Sequence, residues 1–216
     1  MGKIKLYNQM IKVKGLREKM GRIKFYKTSL DNNDQLRNEK IDAVVVFGMG
    51  LNRARTEPCD QSKALTSTAA HIALQKNTPL VIVGMEQQPD VLFFRNEARV
   101  LLDYLKQVFG KDFEKLSISL LSAYSLSRRS DYLIEKIKEK GWKKILMVVH
   151  KDMAPRLKKM LRIALFSNGD DTAIEVFLIQ LDLPYNGDNY LFWKREKIFS
   201  FIYEKFCLFL NSIFLP

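Results

Sequence analysis

The chain of 216 residues contains only two cysteines, Cys59 and Cys207, and two histidines, His71 and His150. No CxxC pair occurs, so no zinc site, other metal site or disulfide framework is expected. Lone thiols fit a reducing compartment. Long apolar runs are also missing. Lys or Arg interrupts the first 27 residues every few positions, which argues against a secretory signal. The most apolar tail, Phe206 to Pro216, is about half the roughly 20 residues that cross a bilayer. No Walker A pattern and no internal repeat is found, and Gly and Pro are modest, which excludes low complexity. A soluble cytoplasmic protein is the expectation.

What is abundant is positive charge. Lys and Arg number 36 against 24 Asp and Glu, a net charge of +12. Such a balance favours anionic partners: nucleic acid, an acidic membrane surface or phosphorylated small molecules. Met1 to Lys27 holds nine basic residues and one acid, Glu18. A stretch of this kind is a solvated basic face, or a peripheral contact with the inner face of a membrane.

The residues from Ile41 read as an α/β domain. Ile41 to Phe47 is a continuous apolar run, as in a strand covered on both faces by helices. Further strands are read at Pro79–Gly84, Leu116–Leu121, Lys144–Val149 and Ala173–Ile179. Helices are read at Thr66–Lys76, Asn96–Val108, Ser130–Lys140 and Pro155–Phe166, with Gly141 just past the third. Alternating strands and helices predict a doubly wound, mainly parallel sheet of about five strands, spanning 41–180. Residues 1–40 read as a basic helical extension and linker, with Ile23 and Phe25 on an irregular second helix. Residues 181–216 read as a loop and an aromatic helix (Phe192 to Phe214) packed on the domain.

Ligands of open α/β sheets bind outside the carboxyl ends of the strands. That rule selects Gly48, Gly50 and Arg53 after the first strand. The glycines are equally suited to a tight turn or to close approach of a phosphate. Ser125, Ser127, Arg128 and Arg129 precede a helix start, where an anion is favoured, although helix capping would use the same serines. His150, Asp152 and Arg156 follow the fourth strand. Asn96 and Glu97 open the second helix; Glu97 either offsets the helix dipole or serves as a base. Glu97 and His150 are therefore the catalytic candidates. No cofactor is assigned.

These segments resemble the ElyC/SanA/YdcF-like family of bacterial α/β domains. The resemblance rests on Asp42 to Gly48, Pro79 to Gly84, Asn96-Glu-Ala98, Ser125 to Asp131 and Gly141 through Arg156, and spans Ile41 to Ile179. It implies a Rossmann-like fold and a link to bacterial envelope biogenesis, without implying a reaction. The family's pattern has a hydroxyl residue where Asn96 stands. Counted from Gly141, Met153 falls on the family's histidine, His150 on a hydroxyl position, and Arg156 on the family's arginine. Two readings follow: a domain that binds or acts on a phosphate-bearing small molecule, and a non-catalytic nucleotide- or cofactor-binding regulatory module that has lost the histidine. Nucleic acid is not expected, because no aromatic residues interleave with the arginines.

Overall fold

The computed structural model describes residues 23–28, 38–86, 96–167 and 173–185. The elements in chain order are β1 (Ile23–Thr28), β2 (Ala43–Phe47), α1 (Asp60–Lys76), β3 (Leu80–Met85), α2 (Glu97–Phe109), a 3-10 segment (Gly110–Lys115), β4 (Ile118–Ala123), α3 (Leu126–Lys140), β5 (Lys144–His150), α4 (Ala154–Ser167) and β6 (Ile174–Leu181). The aromatic tail helix predicted over 192–214 and residues 1–22 of the basic stretch lie outside the described residues.

The six strands form one sheet in the order β1-β6-β5-β2-β3-β4, and every pairing is parallel. β2 to β4 step outward on one side of β2, and β5 and β6 on the other. Helices α1 and α2 pack together on one face, α3 and α4 on the other. This is the doubly wound arrangement predicted from the alternation of apolar runs and amphipathic helices. Central strand β2 (Ala-Val-Val-Val-Phe) is buried along its whole length because both faces are covered. Its pairing with β5 and β3 places the core under all four helices.

The prediction of a helical extension needs correction. Ile23–Thr28 is the edge strand β1, in register with Ile174–Ile179 of β6. Its exposed Lys24 and Lys27 hide the strand pattern, since an edge strand needs only one apolar face. Two helix starts also move. α1 begins at Asp60 rather than Thr66, and α3 at Leu126 rather than Ser130. In both, polar first-turn residues read as loop because they serve the turn rather than the core. Gly141 takes the left-handed conformation (φ 65°) just past α3, as expected for glycine there. Among the described residues no helix is long and apolar enough to cross a membrane.

Candidate functional site

The order of strands in the sheet reverses between β2 and β5, which puts the switch-point crevice beyond Phe47 and His150. Two polar clusters are built there, one on each side.

The first is a clamp centred on Glu97. Asn96 caps α2, its Oδ1 accepting from the backbone N–H of Arg99 at 3.2 Å and from the Ser122 hydroxyl at 2.8 Å. The cap aims Glu97 inward, where it is buried. Glu97 Oε1 accepts from the Gly50 N–H at 2.6 Å, and Oε2 from the Met85 N–H at 2.7 Å. One carboxyl group thus ties the turns after β2 and β3 together. Two glycines make room for it. A Cβ on Gly48 would stand 2.2 Å from Glu97 Oε1, and one on Gly84 2.3 Å from the Ala98 nitrogen. Glycine is required at both places by close approach.

The turn Gly48-Met49-Gly50 is closed from α1 as well. Ser62 Oγ accepts from the Met49 N–H at 2.8 Å and donates to the Gly50 carbonyl at 2.9 Å. The Gly48 N–H donates to the Val83 carbonyl at 2.9 Å. All three amides of this turn are therefore bonded inside the protein, and Gly50 supplies a left-side backbone angle (φ 124°). Of the two uses open to these glycines, the geometry serves the tight turn and leaves no amide of it for a phosphate.

The second cluster surrounds His150, which is fully buried at the end of β5. Its Nε2 lies 3.2 Å from the Leu183 carbonyl, and its Nδ1 3.3 Å from the Asp152 N–H. A carbonyl only accepts and an amide N–H only donates, so the bonding fits the neutral ring protonated at Nε2. The Tyr185 hydroxyl lies 3.3 Å from Nδ1 and donates to Asp152 Oδ2 at 3.0 Å; its ring meets the imidazole edge-on at 5.1 Å. Next to them, Lys151 pairs with Asp182 at 2.8 Å, and that hydrogen bond, reinforced by the charge of Asp182, holds its ammonium above the ordinary value. Met153, at the position of the family's histidine, is buried in the core.

These bonds also fix the path of the chain after β6. Residues 183–185 run from β6 past the end of β5 to the first turn of α1, where Gln61 Nε2 donates to the Pro184 carbonyl at 2.8 Å. The segment is a strap across the switch point. Gln61, Ser62 and Tyr185 were not singled out in the sequence. The first two sit among polar residues that read as loop, and the signal for Tyr185 is only the proline-tyrosine pair just after a strand.

The remaining predicted residues lie around the rim. Ser125 is the N-cap of α3, accepting from the Arg128 N–H at 3.2 Å. Ser127 is half-buried, Arg128 exposed, and Arg129 buried with its Nε donating to the Ser125 carbonyl at 3.4 Å. Arg53 is exposed on the small loop closed by the Leu51–Pro58 bridge, away from the clamp on Glu97. Arg156 is half-buried in the first turn of α4. The first turns of α3 and α4 stand at the same end of the same sheet face. A cavity of about 740 Å³ lies off the crevice, beside edge strand β4, lined by Asn96, Arg99, Asp103, Leu120 and Ser122.

No family model matches the chain, and no curated protein matches it. Among solved structures it is similar to a universal stress protein crystallised in complex with cAMP, with 16% identity over 66% of this chain and 99% of that one and a TM-score of 0.34.

Proposed function

We propose that the chain is a ligand-binding module of the ElyC/SanA/YdcF kind, which takes a phosphate-bearing small molecule and carries out no proton transfer on it. One observation carries this reading. Both catalytic candidates are committed to the protein's own backbone, Glu97 to the amides of Gly50 and Met85, and His150 to the Leu183 carbonyl and the Asp152 amide. A general base must reach the proton it removes. Neither group is placed to do so while the strap is seated.

The anion is assigned to the outer rim, between the first turns of α3 and α4. Helix amino termini favour negative charge, and Ser127, Arg128 and Arg156 lie in the first turns of these two helices. The family's link to the bacterial envelope makes a phosphorylated envelope precursor the favoured class. The enzyme reading keeps one supporting observation, the Tyr185 hydroxyl lying between Asp152 and His150.

Thermal unfolding against a panel of nucleotides, sugar phosphates and pyrophosphate tests the proposal. At least one anion should raise the melting temperature, with the shift lost in Arg128→Ala and Arg156→Ala and kept in Tyr185→Phe. No shift with any anion would overturn it. So would turnover of any panel member that disappears in a folded Tyr185→Phe variant.

A further inference from the structure

A third charged region lies away from the crevice, where α4 covers edge strand β1. β1 (Ile-Lys-Phe-Tyr-Lys-Thr) and α4 (Ala-Pro-Arg-Leu-Lys-Lys-Met-Leu-Arg-Ile-Ala-Leu-Phe-Ser) together carry six basic residues and no acid. Two of these flank one ring, with a third close by. Lys158 Nζ stands 5.6 Å from the Phe25 centroid and Arg162 Cζ 5.2 Å from it. Lys27 is two residues beyond Phe25 on the strand, hence on the same face.

The arrangement is electrostatically uphill. Lys158 is held below the ordinary ammonium value, first by partial burial and then by the charges of Arg162 and Lys27. The Arg162 Nε is buried without a hydrogen-bond partner. No ion pair to Lys27, Lys158 or Arg162 occurs among the described residues. The other helices are different: Lys106 pairs with Asp103 in α2, and Lys136 with Glu139 in α3. Cations held close together at a cost, with no acid paired to them among the described residues, point to an anion from outside.

We propose that the β1–α4 flank is a docking surface for an acidic lipid bilayer. The cations converge on a ring rather than line a cleft, which suits an extended anionic surface better than a small molecule. The Phe25 ring is covered by its two cations, so it offers no platform for stacking bases, and this sets single-stranded nucleic acid aside. Each Lys or Arg near an anionic leaflet gains favourable energy from its surface potential, and the gain falls off within a Debye length.

The test is co-sedimentation of the full chain with phosphatidylcholine vesicles containing roughly one-third phosphatidylserine, and with pure phosphatidylcholine vesicles. The chain should bind the acidic vesicles only, and release at high salt. Lys27→Gln/Lys158→Gln/Arg162→Gln should bind about a hundredfold more weakly. A control triple, Lys106→Gln/Lys115→Gln/Lys136→Gln, removes the same net charge and should stay within about twofold, because those lysines are already paired. Circular dichroism checks the fold. If the flank triple does not fold, Lys27→Gln and Lys158→Gln alone should each weaken binding about fivefold. Absence of vesicle binding, equal losses in both triples, or a loss confined to duplex RNA in a parallel assay would each overturn the proposal.

Discussion

The strand-end centre and the β1–α4 flank treat polar groups in opposite ways. At the centre, buried Glu97, Ser62 and His150 each find partners inside the protein. On the flank, Lys158 and Arg162 stand over Phe25 with the charge of Lys27 close by, and no acid pairs with them among the described residues. On the readings proposed above, the difference separates polar groups kept for the fold from those left for a partner. A buried polar group without partners is costly, and at the centre each of these three is satisfied internally. A surface cation costs little in water, so the chain tolerates several together. Internally satisfied polar residues in a crevice resemble a catalytic constellation in sequence while serving as architecture.

Variants can break this contrast from either side. Glu97→Ala should have the largest effect, about 3–5 kcal/mol of stability by urea unfolding, since two inward amides lose their acceptor and a cavity opens. A loss of ligand response without a loss of stability would instead make Glu97 a site residue. His150→Ala should cost about 2–4 kcal/mol by the same measurement, for lost packing and a released strap. Tyr185→Phe removes the hydroxyl's contacts with Asp152 and His150 Nδ1 and should cost about 1 kcal/mol. Proteolysis near residue 185 should quicken in that variant; an unchanged rate would mean that the strap is held by other contacts.

On the flank the sign reverses. Lys158→Gln should stabilise the protein slightly, by about 0.5 kcal/mol or less, and added salt should reduce the part of the gain that comes from relieved repulsion by Arg162 and Lys27. The pH dependence follows from the lowered ammonium value. The folded state binds that proton less well than the unfolded chain, so the penalty is fully present below the folded value. It is relieved as pH rises from there through the ordinary 10.5. The Lys158 contribution should therefore rise with pH in that window, so the stability difference between the parent chain and Lys158→Gln should shift in favour of the parent as pH rises.

The sequence made the central elements legible because their signals are local. Val44 to Phe47, Leu80 to Val83 and Lys144 to Val149 are apolar runs that only a strand covered on both faces would carry, and Asn96-Glu97 is a helix start at any distance from its partners. β1 was illegible because Lys24 and Lys27 break its apolar run, and its pairing with β6 joins segments about 150 residues apart. The roles of the site residues were also hidden. Gly48 is a glycine because of Glu97, on a different element, and His150 is buried because the chain returns over it after β6. Long-range contacts of this kind leave no periodic trace in either partner. Arg128 and Ser125 were located at a helix start, but which of them caps and which faces solvent depended on a four-residue shift in where α3 begins.

A double-mutant cycle on Gly48 and Glu97 tests most directly whether the crevice carboxyl is architecture. Gly48→Ala alone drives a methyl group into the Glu97 carboxyl and should cost about 1–3 kcal/mol. In the Glu97→Ala background that methyl meets vacated space. Urea unfolding of the four proteins should then show the double variant losing less than the sum of the single losses, by about 1–3 kcal/mol. Additive losses would mean that Gly48 and Glu97 do not depend on each other, and the clamp account would be wrong.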